Sequence, residues 1–194
     1  MIKSKKDLKL YIEADKNAKG IKNDSLKNRL ILFLKPNLIW KFQKLLRTTE
    51  YYQNTNKNIF QKFYFYYLKH KYQKLSLKLG FSIPRNVFGP GLAIIHYGTI
   101  VVNSKARIGK NCRIHVCVNI GASGGKPEAP QIGDNVYIGP GAKIYGDIKI
   151  ANNTAIAANA SVGKSFLEEN TVIGGVPAKK LKDFDIKTII KHLK

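Results

Sequence analysis

The stretch Ile132-Gly-Asp-Asn-Val-Tyr-Ile138-Gly-Pro-Gly-Ala-Lys-Ile144-Tyr-Gly-Asp-Ile-Lys-Ile150-Ala-Asn-Asn-Thr-Ala-Ile156-Ala-Ala-Asn-Ala-Ser-Val162 sets an aliphatic residue at every sixth position. The same beat runs upstream through Ile108, Ile114 and Ile120. A helical face returns at three and four residues, and a hairpin strand alternates at two. Neither fits a gap of six interrupted by Gly, Asn and Pro. A short flat strand followed by a bend does fit, repeated so that successive turns stack at the inter-strand spacing of about 4.8 Å. The period is that of a hexapeptide β-helix. Small or aliphatic residues hold the fifth place of each repeat (Cys112, Val118, Val136, Ala142, Ile148, Thr154, Ala160) and point inward with the columns. Gly139, Gly141, Asn111, Asn135 and Asn159 suit corners that need positive φ. A β-sandwich of many short strands is the competing fold, and the unbroken register from Ile132 to Val162 speaks against it.

Between Ile120 and Ile132 two periods pass without a column residue at position 126. Gly124 to Gln131 therefore reads as a loop pushed out of the prism. Loops on rigid scaffolds often carry binding work, although a plain surface insertion gives the same pattern.

The chain has 194 residues and a net charge of +22, unevenly spread. Residues 1–85 hold 20 Lys and Arg against 5 Asp and Glu. Such a face attracts phosphates or anionic headgroups, or simply solvates the surface. No helix-turn-helix, zinc-finger or RNP signature accompanies the charge, so nucleic acid is not expected. Cys112 and Cys117 fall on opposite sides of the wall, which argues against a disulfide and against a metal site with His115. Two unpaired cysteines fit a reducing cytoplasm. The apolar run Leu30–Leu34 is too short to span a bilayer.

Three regions follow: a basic, aromatic-rich helical part over 1–83, the β-helix over 84–182, and a short C-terminal helix over 183–194. Residues 1–25 read as a short helix or an arm. A helix is expected over 26–50, with Ser25 as N-cap and Pro36 as a break. Another is expected over 58–79, ending at Gly80. Its aromatics (among them Phe60, Phe63, Tyr66 and Tyr67) cover more than one face. They suit packing on a helix, the prism or another subunit; with the neighbouring lysines they also suit a peripheral membrane contact.

Four histidines are available for chemistry. His70 and His192 read as structural or solvated. His96 and His115 are nineteen residues apart and fall on adjacent turns near one edge. Strict extrapolation from Ile108 puts His96 at an inward site. An unpartnered buried imidazole is unfavourable, so a local bulge is expected to turn it outward; a satisfied structural histidine is the alternative. A histidine is a suitable general base for a hydroxyl, and glycine-rich corners can offer N–H groups to an oxyanion.

The segments Pro84…Gly89-Pro-Gly-Leu92…His96, Gly98-Thr-Ile-Val-Val102, Ile138-Gly-Pro-Gly-Ala-Lys-Ile-Tyr-Gly146 and Gly174-Gly-Val-Pro-Ala-Lys179 resemble the hexapeptide acyltransferases, in particular the serine O-acetyltransferase branch. The resemblance implies a mainly β protein built on a left-handed parallel β-helix. It implies a homotrimer or higher homo-oligomer, acetyl-CoA as acetyl donor, and no metal. His96 matches the base; Gly121, Ala122, Ala142, Ala160, Lys164 and Lys179 match donor contacts. Three departures stand out. Ile95 replaces an aspartate before the histidine, Phe81 replaces another fifteen residues before it, and Glu128-Ala129-Pro130 replaces an Arg-His-Pro that helps hold the amino acid. With the serine-gripping charges missing, Ile95, Tyr97 and Phe81 suit a sugar, with His115 beside them and Glu50 as a substitute acid. The leading expectation is therefore a sugar O-acetyltransferase of surface polysaccharide synthesis. The alternatives are a serine O-acetyltransferase of cysteine biosynthesis and a non-catalytic β-helix module. A γ-type carbonic anhydrase needs three metal-binding histidines and is set aside.

Overall fold

The computed structural model describes residues 1–21, 37–55 and 58–193. From Phe81 onward the chain winds into a prism of three sheets of short parallel strands. The first sheet is β1 (Phe81–Ser82), β3 (Ile100–Val102), β6 (Asn119–Gly121), β9 (Lys143–Tyr145) and β12 (Ser161–Val162). The second is β4 (Arg107–Ile108), β7 (Gln131–Ile132) and β10 (Lys149–Ile150). The third is β2 (Ala93–Ile94), β5 (Arg113–Ile114), β8 (Tyr137–Ile138), β11 (Ala155–Ile156), β13 (Thr171–Gly175) and β14 (Ala178–Asp183). β13 and β14 pair antiparallel and close the coil. The sixth-position residues stack in columns, such as Ile114 on Ile138 on Ile156, and from Ile108 to Val162 they are 0 to 4 % exposed.

Register explains the irregularities. The later turns repeat at eighteen residues, as in Ile138 to Ile156. Ile114 pairs with Ile138, twenty-four residues on, and the extra six are the loop, whose residues 122–128 are exposed. Ala129 and Pro130 are already buried and Gln131 is in strand, so the protrusion ends earlier than the sequence suggests. Ile94 pairs with Ile114, twenty residues on. Those two additional residues lie at the corner between β2 and β3, because Val102 to Ile120 is again eighteen. Ile94 thus takes the inward site and His96 is turned out. At the corners preceding the third sheet, Asn111, Asn135 and Asn153 adopt positive φ and form a ladder, Asn111 Nδ2 to Asn135 Oδ1 at 2.8 Å and Asn135 Nδ2 to Asn153 Oδ1 at 2.9 Å. Asn159 and Gly141 also have positive φ. Gly139 does not; it is required because a Cβ there would lie 2.7 Å from the Ala158 nitrogen.

Among the described residues three helices cap the open end of the prism. α1 (Lys5–Ala18) starts with a Ser4–Asp7 capping box. α2 (Leu38–Asn54) is capped by Asn37. The expected helix over 26–50 is thus seen only from Leu38, and Ser25 and Pro36 lie outside the described residues. α3 (Ile59–Leu79) starts with an Asn58–Gln61 capping box and ends at Gly80 in the left-handed conformation. β1 follows immediately, so the coil begins three residues before the expected boundary at 84.

The first turn of the coil has no preceding turn to bond with. An unpaired strand edge needs covering, and the helices supply it. Lys19 Nζ donates to the Ile94 carbonyl at 2.6 Å and Gln43 Nε2 to that of Leu92 at 2.6 Å. Arg47 donates to the carbonyls of Phe88 and Gly89, and the Tyr72 hydroxyl to that of Ile83. In return, Asp15 accepts from the amides of Gly91 and Leu92, and Glu50 from that of Asn86. Phe42, Leu46, Tyr72 and Leu79 extend the prism core into the cap. On α3, by contrast, Phe60, Phe63, Tyr66 and Tyr67 remain exposed. Among the described residues no helix is long and apolar enough to cross a membrane.

The C-terminal segment forms two 3-10 turns, Ile186–Thr188 and Lys191–Leu193, instead of the expected helix. So short a segment is marginal as an isolated helix. It is held by Ile186 and Ile190 packing over Ala155 and Tyr137 on the third sheet.

Candidate functional site

His96 stands exposed at the enlarged corner between β2 and β3. Gly98 makes that corner possible. Its φ is +123°, and a Cβ would come within 2.6 Å of Val116 Cγ2. His115 follows β5, and its ring centroid is 5.8 Å from that of His96 and 5.1 Å from that of Tyr137. The two histidines predicted to share an edge therefore do so. His115 is half-buried, and its Nε2 is buried with no hydrogen-bond partner among the described residues. Burial first, then the charges of Arg113 and His96, push its pKa down to about 4. His115 is thus neutral at pH 7.

Arg113 and Lys19 complete the neighbourhood, and the sequence reading missed both. Arg113 precedes the inward Ile114 as His115 follows it, so both project from the outer side of the strand. That i, i+2 relation to His115 was the available signal. Lys19, just beyond α1, reaches the strand through the Ile94 carbonyl. Its pKa is lowered to about 8, by burial first and then by Arg113, with Asp15 opposing. Arg113 also acts on His192, whose pKa is lowered by burial first and which lies 3.3 Å from Asn111 Oδ1.

The other expected residues divide. Ile95 is half-buried, and its amide bonds the Ile114 carbonyl; Tyr97 is 74 % exposed beside His96. Glu50 is not at this corner. It is 2 % exposed, paired with Arg47 at 3.1 Å and bonded to the Asn86 amide, so it cannot serve as a substitute acid for His96. Phe81 does not face an acceptor either: it is a core residue, packed edge-on against Phe42 with centroids 5.0 Å apart. Ala142 and Ala160 are fully buried, as their fifth-place register requires, so their side chains cannot touch a donor molecule. Their amides bond the carbonyls of Gly139 and Ala157 at 3.4 Å and their carbonyls accept from the amides of Asn119 and Lys143, so the main chain of both is also engaged within the coil. Gly121 and exposed Ala122 form the root of the protruding loop. Lys164 is exposed just after β12, and Lys179 is exposed on β14 in another sheet. Cys112 is inside the prism, where burial pushes its thiol pKa up, and Cys117 is exposed at a corner. Among the described residues no group of three His, Cys, Asp or Glu could hold a metal ion.

Comparison with known proteins adds a second line of observation. Residues 129–164 match the family described as bacterial transferase hexapeptide (six repeats). The serine acetyltransferase of Mycobacterium tuberculosis is 38% identical over 98 residues, which is 50% of this chain and 42% of that protein. The chain thus spans less than half the length of that curated relative. The crystal structure of Neisseria gonorrhoeae serine acetyltransferase in complex with serine superposes with a TM-score of 0.65 at 25% identity, covering 92% of this chain and 71% of that one. That of the Brucella abortus strain S19 serine acetyltransferase in complex with coenzyme A shares the fold, with a TM-score of 0.62 at 24% identity over 91% of this chain and 67% of that one. These similarities overturn the expected sugar acceptor and the assignment to surface polysaccharide synthesis, since these similar proteins carry the name of serine acetyltransferase. The expectation rested on charges absent from particular positions, and such an absence does not by itself identify an acceptor.

Proposed function

We propose that the protein is an acetyl-CoA-dependent serine O-acetyltransferase, of the kind that feeds cysteine biosynthesis, with His96 as general base. The observation that carries the proposal is His96 itself, an imidazole exposed at an enlarged corner of a hexapeptide coil whose 129–164 stretch matches a transferase repeat. The similarity to serine acetyltransferases supports serine as the acceptor.

In the proposed reaction His96 takes the proton of the serine hydroxyl as its oxygen attacks the thioester carbonyl. The tetrahedral intermediate collapses with cleavage of the carbon–sulfur bond. The imidazolium returns its proton to the departing CoA sulfur. Donor contacts fall to the main chain of Gly121 and Ala122 and to the ammonium groups of Lys164 and Lys179. The coil is left-handed and three protomers associate, so that the His96 corner of one faces a neighbour. A cytoplasmic setting agrees with the donor and with the two free thiols.

The test is thiol release from acetyl-CoA by the purified protein with L-serine. His96→Ala should lower the rate by about 10²–10⁴-fold, the usual share of a general base. An unchanged rate in that variant removes His96 from the mechanism, and no serine-dependent release by the wild type overturns the assignment.

A further inference from the structure

If serine is the acceptor, its carboxylate needs a cationic partner, and the loop position expected to supply one carries Glu128-Ala129-Pro130. The outer face of the third sheet offers another. Lys19 is anchored on the carbonyl of Ile94, the residue before Ile95-His96. The strand carrying that carbonyl pairs with β5 so that Ala93 lies beside Arg113. Arg113 is followed two positions on by His115, whose ring reaches that of His96. Two half-buried cations and two imidazoles therefore share one patch of wall.

Among the described residues the patch lacks counter-charge. Among the described residues no carboxylate lies within salt-bridge distance of Arg113. Asp15, the carboxylate that acts on Lys19, is engaged by Arg47 and by the amides of Gly91 and Leu92. Like charges brought together and partly desolvated without a partner are unfavourable in a structural role and are typical of binding sites. The buried, unpartnered Nε2 of His115 is a second mark of the same kind, since buried polar atoms are normally bonded.

We propose that Arg113 and Lys19 bind the carboxylate of the amino-acid acceptor while its hydroxyl faces His96. This deepens the serine assignment and rests on it. The carboxylate and hydroxyl of serine would then meet a cation pair and the base, both on the wall of the coil.

Initial rates with L-serine and with L-serinamide, at a pH where both α-amines are protonated, test it, because the amide then keeps the hydroxyl and the ammonium and replaces only the carboxylate charge. Wild type should favour serine by about 10- to 100-fold in kcat/KM, the range of a charge-assisted hydrogen bond. Arg113→Gln should raise the KM for serine by a similar factor, leave the KM for acetyl-CoA and the melting temperature nearly unchanged, and reduce the preference over serinamide to what Lys19 alone supplies. Arg113→Lys should restore part of it. Should wild type use serine and serinamide equally well, or should Arg113→Gln leave the KM for serine within about twofold, the carboxylate site is wrong while the reaction stands. If wild type does not acetylate serine at all, the reaction and the site fall together. The wild-type comparison alone decides the matter if Arg113→Gln does not fold.

Discussion

Arg47 is the residue on which the cap most depends, and replacing it gives the sharpest test of how the helices hold the coil. Its guanidinium is fully buried and donates to five acceptors: both carboxylate oxygens of Asp15 at 2.8 and 3.2 Å, Glu50 at 3.1 Å, and the carbonyls of Phe88 and Gly89 at 2.9 and 2.7 Å. The two carboxylates hold its pKa above the usual range against the effect of burial. Arg47→Met keeps much of the stem and removes every donor. Breaking a buried pair from one side typically costs about 3–5 kcal/mol, because the remaining charge is left unpaired. Two orphaned carbonyls push the loss toward the upper end of that range. Against a total stability of about 5–15 kcal/mol this is a large fraction. At about 2–4 °C per kcal/mol it lowers the melting temperature by roughly 10–20 °C. Hydrogen exchange should localise the damage. The amides of Gly91, Leu92 and Asn86, bonded to Asp15 and Glu50, should lose protection first, while those of Gly139 and Tyr137 deep in the coil keep theirs. The combination Arg47→Met, Asp15→Asn and Glu50→Gln should cost less than Arg47→Met alone, since it leaves no buried charge unpaired. A melting temperature within about 1 °C of wild type for Arg47→Met, or a triple variant worse than the single, would refute the account of the cap.

Gly98→Ala should reduce acetyl transfer more than it reduces stability, because relieving the clash with Val116 and the +123° φ must shift the corner that carries His96; equal specific activity for the folded variant would show that the corner does not set the base. The His115 ring, followed by NMR, should stay neutral until the pH approaches about 4. Its folded pKa lies below the ordinary histidine value of about 6.5, so between those values the unfolded chain binds more protons. The associated stability is complete above about pH 6.5 and declines as the pH falls toward 4; a ring titrating near 6.5 would contradict this.

The sequence is most legible where a single periodic constraint acts. The columns from Ile108 to Val162 could be read because each turn demands the same aliphatic volume at the same step, and the burial of Cys112 against the exposure of Cys117 follows from that register. The outward turn of His96 was legible for an energetic reason, an imidazole being a poor occupant of an apolar column, although the two extra residues that accomplish it carry no mark of their own. What failed depended on register in the irregular first turn or on packing between distant segments. Phe81 was aligned with a vanished aspartate, but its pairing with Ile100 makes it a column residue. Glu50 looked available because nothing in a polar helix announces that Arg47, three residues earlier, will be buried with it.

The same constraint links the cap to the chemistry. A stacked coil has two ends, and the first turn, lacking a partner above it, must be bonded by something other than another turn. Here the partner is a set of helices rich in basic side chains, and one of the cations that satisfies the edge, Lys19, ends on the strand that leads into His96. Asp15 and Lys19 are four residues apart on the same segment, so the Arg47–Asp15 pair that fixes α1 also fixes where Lys19 lies relative to Arg113. It follows that the damage from Arg47→Met should reach the acceptor end of the site before the donor end. At temperatures where the variant is still folded, its KM for serine should rise while its KM for acetyl-CoA holds, and a parallel rise in both would detach the cap from acceptor recognition.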